Sequence, residues 1–188
     1  MSRRGIRIAV TGGLFVSLCV AITSGRSGFS ASQTPAGRGA TVDVPVTEGT
    51  SMSVSISPDG RTLATDLQGS IWTMPAAGGT MKRITDPFND ARQPNWSPDG
   101  KTITFFAYRD GGYDLWAVAA DGSNQHKLTV GTFDDREPMF SHDGTRIAFS
   151  SDRGDQLGSD YNIWVLDLRT GELRQLTKNP AEDFMPSW

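Results

Sequence analysis

Ser-Pro-Asp-Gly stands at Ser57–Gly60 and again at Ser97–Gly100, and Ser141-His142-Asp143-Gly144 is a third, imperfect copy. The copies begin 40 and then 44 residues apart, and an apolar run follows each one. Recurrence of a turn and an apolar run at a period of this length restricts a chain to architectures built from stacked repeats. The second copy shows what one unit contains. Pro94 to Ser97 reads as a short strand ending in Trp96. In Ser97-Pro98-Asp99-Gly100 the proline presets the first central φ of a type I turn, and the glycine supplies the positive φ that closes it. An extended run with Ile103, Phe105 and Tyr108 leads to a second turn at Arg109–Gly112. A third strand, Tyr113 to Ala119, carries Trp116. A turn at Asp121-Gly122 precedes a short fourth strand in which Leu128 is the one large apolar residue.

The same order recurs on both sides, with Ile71-Trp72 in the first copy and Ile163-Trp164 in the third. Alternation along the third strands points Ile71, Leu115 and Ile163 one way and Trp72, Trp116 and Trp164 the other. Strands that are apolar on both faces are covered on both faces. The fourth strands, Lys82-Arg83, His126-Lys127 and Arg174-Gln175, have the polar and basic character that blunts a sheet edge. Four antiparallel strands graded from buried to solvent-edged, repeated every forty-odd residues, describe a propeller blade. The expected fold is therefore all-β, an incomplete β-propeller of about three four-stranded antiparallel blades. The blades fall at about 52–93, 94–137 and 138–185, with the next beginning at 186. Trp72, Trp116, Trp164, Gly60, Gly100 and Gly144 are its repeating structural residues. Closed propellers have four to eight blades, and the chain stops at Pro186-Ser187-Trp188, where another Ser-Pro-Asp-Gly is due. The expectation is an N-terminal piece of a longer protein.

Three connections have constant length. Asp86–Gln93, Val130–Glu137 and Lys178–Met185 each span eight residues from a Thr to a Pro, as expected of loops that cross from blade rim to central channel. Their fifth positions are Asp90, Asp134 and Glu182, and their seventh are Arg92, Arg136 and Phe184. Gathered around one channel mouth, these acids and guanidiniums form a candidate site for a protein segment, a peptide or a cation. Equally, each acid can pair with a nearby Arg or cap its own loop's amides, and both readings stay open. Elsewhere the chemistry is sparse, and no catalytic or metal-ligating residue is assigned. There is no Gly-x-Ser-x-Gly elbow, and His126 and His142 lack metal-ligand spacing. Asp59, Asp99 and Asp143 occupy turn positions where Asp bonds to backbone.

The N-terminus is of a different kind. Arg3, Arg4 and Arg7 precede an apolar run from Ile8 to Ile22, and small residues follow, including Ser30-Ala31-Ser32. That order describes a signal peptide over residues 1–32, followed by a flexible linker at 33–40 and propeller sequence from 41 to 188. The run is shorter than the roughly 20 residues that span a bilayer comfortably, so no stable membrane span is expected after leader removal. Export to the periplasm or beyond follows. Thr41 to Val46 is expected to be a strand that closes the ring on the last blade. Cys19 is the single cysteine, which excludes a disulfide framework. The formal charge is −3, and losing the leader's four arginines takes it to −7. Nucleic-acid binding, which needs a basic face, is excluded as a function class.

Trp96-Ser97-Pro98-Asp99-Gly100-Lys101, then Asp114-Leu115-Trp116, Asp121-Gly122 and Lys127-Leu128-Thr129, resembles the TolB-type, WD-like propeller repeat. The resemblance covers about Met52 to Trp188, departing at His142 and at Asp66-Leu67-Gln68-Gly69. It implies a periplasmic propeller that either binds a protein partner or accompanies a secreted hydrolase, such as a serine peptidase. Thr47 to Gly60, followed by Asp66 to Trp72, also resembles the start of the propeller ahead of exported metal-dependent amidohydrolases. That likeness implies an accessory, non-catalytic propeller whose remaining blades and C-terminal domain lie outside this chain. The hydrolysis of C–N bonds, and a divalent metal such as zinc, would belong to that other domain. This reading weighs more than a TolB-like protein-binding propeller.

Overall fold

In the computed structural model the described residues are 6–10, 42–46, 52–86, 90–154, 160–178 and 181–188, the first two segments by backbone pairing alone. Val54–Ile56 (β3), Thr62–Leu67 (β4), Ser70–Pro75 (β5) and Lys82–Arg83 (β6) form one antiparallel sheet in chain order. Ala91–Trp96 (β7), Thr102–Arg109 (β8), Gly112–Ala119 (β9) and His126–Lys127 (β10) form a second. Asp135–Phe140 (β11), Arg146–Ser151 (β12), Asn162–Asp167 (β13) and Leu173–Gln175 (β14) form a third. The architecture is thus all-β, with three four-stranded blades. Two further strands, Ile6–Val10 (β1) and Val42–Val46 (β2), pair antiparallel with each other. The strand expected at Thr41 to Val46 is present, and its partner here is β1. The rest of the leader and the linker lies outside the described residues.

Each Ser-Pro-Asp-Gly turn is tied by one repeated set of bonds. Ser97 Oγ donates to Asp99 Oδ1 at 2.6 Å, the Lys101 amide donates to the same oxygen at 3.0 Å, and the Thr102 amide donates to Ser97 Oγ at 3.0 Å. Ser57–Asp59 and Ser141–Asp143 repeat the pattern at 2.6 Å each. The turn carboxylates are thus bonded to their own turns, and the serine hydroxyl followed by the backbone amide holds each of them below the ordinary carboxylate pKa.

The third strands divide their faces as the alternation predicts. Trp116 packs with Ile71, Ile84, Trp96, Ile103 and Val118 between the first and second blades. Leu115 packs on the opposite side with Phe106, Ile147, Phe149 and Leu166, between the second and third. Trp72 lies on the far side of the first blade against Leu67 and Met81. The fourth strands are short and polar, as read.

The first strands differ from expectation. They begin at Ala91 and Asp135, three residues earlier than Pro94 and Pro138, so the ends of the eight-residue loops are already in the sheet. Register shifts from Arg92↔Phe106 to Asn95↔Thr104, and from Arg136↔Ser150 to Met139↔Ala148. Each shift inserts one extra residue, a β-bulge. Gln93 (φ 48°), Glu137 (φ 59°) and Met185 (φ 52°), each just before a proline, take left-handed backbone. Acids hold the turned amides. Asp66 Oδ2 accepts from the Gln93 amide at 2.9 Å, and Glu137 Oε2 accepts from the Met185 amide at 2.6 Å.

Candidate functional site

Asp90 lies against the β4–β5 turn at Gly69, Asp134 against the β8–β9 turn at Gly112, and Asp183 against Tyr161 just ahead of β13, on one face of the blades. The contact leaves no room for bulk: a Cβ added to Gly69 would lie 3.2 Å from the Asp90 backbone. Asp90 itself takes left-handed backbone at φ 34°, and the next amide, Ala91, donates to Gly69 O at 2.8 Å. Its side chain is thereby aimed along the face. Asp90 Oδ1 accepts from Arg92 Nε and Nη2, both at 3.3 Å, while Oδ2 accepts from the Tyr113 hydroxyl at 3.2 Å.

The next loop repeats the arrangement and links to it. Asp134 Oδ1 accepts from the Tyr113 amide at 3.0 Å, and Oδ2 accepts from Arg136 Nη2 at 2.8 Å and from the Tyr161 hydroxyl at 3.3 Å. The Arg136 guanidinium lies over the Tyr113 ring at 4.5 Å and near the Tyr161 ring at 5.5 Å. Tyr113 therefore joins both acids, and a continuous ladder runs Arg92, Asp90, Tyr113, Arg136, Asp134, Tyr161. Phe184 extends it by packing on Tyr161 at 5.0 Å between ring centres. Glu182, the fifth position of the third loop, is exposed and stands outside this ladder.

The electrostatics follow from this geometry. Burial works to raise Asp134, but the Tyr113 amide, Arg136 and the Tyr161 hydroxyl outweigh it and leave the carboxyl below its ordinary pKa. Burial pushes the Tyr161 hydroxyl up to about 12, with the Asp134 charge adding to the shift. Tyr113 is raised by burial and then by Asp90. At neutral pH Asp134 is therefore ionised, Arg136 charged, and the Tyr113 and Tyr161 phenols neutral. The two tyrosines were missed in the reading of the loops. Their signal was available, because both sit two residues before the aliphatic–Trp pair of the third strand.

A buried ion pair outside the ladder was also missed. Arg153 Nε donates to Asp135 Oδ1 at 2.9 Å with both side chains almost fully buried, and Arg153 Nη2 also reaches Val130 O at 3.1 Å. It staples the third blade's inner strand to its loop. In the second blade Ala91 stands where Asp135 does, and Arg109 turns to Asp86 at 3.7 Å instead. Among the described residues, no group of three or more His, Cys, Asp or Glu side chains comes together as a metal site, and no helix is long and apolar enough to cross a membrane.

A search of curated proteins finds no match. Among solved structures, the chain is similar to a putative TolB from Agrobacterium tumefaciens at 27% identity and TM-score 0.67, covering 80% of this chain and 55% of that one. It is similar to TolB from Acinetobacter baumannii at 25% identity and TM-score 0.61, covering 79% and 37%. A puromycin hydrolase shares the fold at 18% identity and TM-score 0.59, covering 78% and 25%. The chain thus spans about half the length, or less, of the solved relatives it matches. A family model described as TolB beta propeller domain matches residues 36–157, well over half of the sequence, and the chain belongs to that family.

Proposed function

We propose that this chain is the non-catalytic propeller segment of an exported bacterial protein, and that it works by gripping a protein or peptide partner at the loop face. The observation that carries this reading is the ladder from Arg92 to Tyr161. Aromatic and Arg side chains dominate the energetics of protein recognition, and here internal bonds hold them in place before any partner arrives. Part of the ordering cost of association is thereby met in advance. Likeness to two TolB structures supports the same choice. In this reading residues 1–32 are a leader, 33–40 a linker, and the working location is the periplasm or beyond. No nucleic acid and no membrane span are involved.

The test is site-directed photocrosslinking in the full-length protein, expressed with its leader. A photoreactive residue at Arg92 is expected to give a discrete adduct that Arg136→Ala reduces at least about tenfold. The same residue at Lys101, on the opposite face, is expected to give none. Equal adducts from both faces, or an adduct indifferent to Arg136→Ala, would count against the proposal.

A second reading rests on Thr47 to Gly60 and Asp66 to Trp72, whose likeness to the start of amidohydrolase-linked propellers supports a parent enzyme. The remaining blades and a C-terminal domain would then be this segment's partners, and a divalent metal such as zinc would sit in that domain. Sequence downstream of Trp188 decides. His-x-His with a barrel pattern supports the amidohydrolase, Gly-x-Ser-x-Gly a serine peptidase, and further blades followed by a stop the binding propeller.

A further inference from the structure

The face opposite the loops carries a cleft that the repeat itself does not require. Between the first and second blades the corresponding gap is small, about 300 Å³, and two side chains close it. Trp96 fills the inner end and donates its indole N–H to Ser55 O at 3.3 Å. Lys82 crosses the outer end, its Nζ donating to Asp121 O at 2.7 Å. Trp188 repeats the first device one boundary further on, donating to Met139 O at 3.0 Å.

Between the second and third blades both closures are missing. Phe140 stands where Trp96 and Trp188 stand, one ring smaller and with no N–H. His126 stands where Lys82 does, and its Nδ1 lies 2.8 Å from Asn124 O in its own blade rather than across the boundary. The outer turn is open as well. A Cβ on Gly122 would meet Ile84 within 3.4 Å, whereas one on the equivalent Gly171 would meet nothing within 4 Å. The result is a cleft of about 530 Å³, inside the range that holds small organic ligands.

Its chemistry is two-sided. The walls are Ala117 and Leu128 from the second blade and Phe140, Ile147 and Leu168 from the third, with Thr104 between them. Asp99 and Asp143 stand at the rim, one from each blade. Each commits Oδ1 to its own turn, and no hydrogen bond from a described residue reaches Oδ2 of Asp143. We propose that this inter-blade cleft binds a small organic cation, an aromatic or branched-aliphatic body buried against Phe140 and Ile147 with its protonated amine between Asp99 and Asp143. This goes beyond the loop-face reading and does not depend on it.

The probes are tryptamine, its neutral analogue tryptophol and the anion indole-3-propionate, titrated calorimetrically into the full-length protein. Tryptamine is expected to bind saturably with millimolar or tighter affinity, tryptophol at least about tenfold more weakly, and the anion not measurably. Phe140→Trp restores the indole of the neighbouring boundaries, so it should fold at least as stably and lose tryptamine binding by at least about tenfold. Ala117→Leu fills the cleft from the other wall and should do the same. Asp99→Asn with Asp143→Asn should bring tryptamine down to the level of tryptophol. Absence of saturable binding, equal affinity for all three probes, or full affinity in both filling variants would overturn the proposal.

Discussion

Arg136 is held by three groups at once: the carboxylate of Asp134 and the faces of two tyrosines from different blades. Its position depends on partners far apart in the chain, so no local pattern around residue 136 reveals it. The loop acids and arginines were legible as a repeating pattern, and the phenols that connect them stood unread two residues ahead of the aliphatic–Trp pairs of the second and third blades. Two of the three loop acids, Asp90 and Asp134, pair with the arginine two residues on. Trp116 was more legible, because a tryptophan on the strand face opposite Leu115 has to pack against a neighbouring blade. It does so between Ile71, Ile84 and Trp96. Trp116→Ala should therefore destabilise the protein by about 3–5 kcal/mol, measured by equilibrium unfolding. The turn aspartates give a prediction about pH. Their folded pKa values lie below ordinary, so their stabilising contribution is complete above the unfolded value of about 4 and is lost as pH falls through the lowered folded values. Thermal midpoints between about pH 6 and about pH 2 should fall accordingly, and Ser97→Ala should flatten the fall.

At the level of the strand and turn, proline misled and glycine did not. A residue before proline is ordinarily extended with negative φ. The bulges overrule that preference at Gln93 and Glu137, and Met185 shares their left-handed backbone. Carboxylates from Asp66 and Glu137 accept two of the rotated amides, and no reading of the dipeptide alone anticipates an acceptor 27 or 48 residues away. The hairpin turns, by contrast, follow their sequences closely. Asp110-Gly111 forms a two-residue connection between Arg109 and Gly112, with both φ values positive at 57° and 99°. Gln68-Gly69 forms the same connection between Leu67 and Ser70 at 52° and 71°. Such turns favour Asn or Asp at the first position, and Gln68 is exposed with no requirement on its longer side chain apparent. Gln68→Asn should therefore stabilise the protein by roughly 0.5–1 kcal/mol, read as a higher denaturation midpoint with unchanged slope.

For the molecule as a whole, the period did most of the work. Three blades, their strand order and their polar edges follow from a turn that recurs at fixed spacing, and the TolB-family match agrees. What the period hides is the difference between boundaries, because two exchanges, Phe140 for Trp and His126 for Lys, decide whether a gap is filled. The outer faces also differ from the inner ones: Val54 and Ile56 of the first blade and Leu176 beside the third remain exposed. The bonds that tie the inner strands together, Asp66 to Gln93, Asn95 to Phe140 and Glu137 to Met185, each cross a single blade boundary. Cohesion of this kind passes only between nearest neighbours, so the blades should open in sequence rather than together. Amide exchange would show it as rates that differ from one strand to the next within the sheets. The amides of β8 and β9, with a blade packed on either side, should open last, and those of the short edge strands β6 and β10 should open earlier. Uniform exchange across all three sheets would mean that the blades are coupled more strongly than their boundary bonds imply.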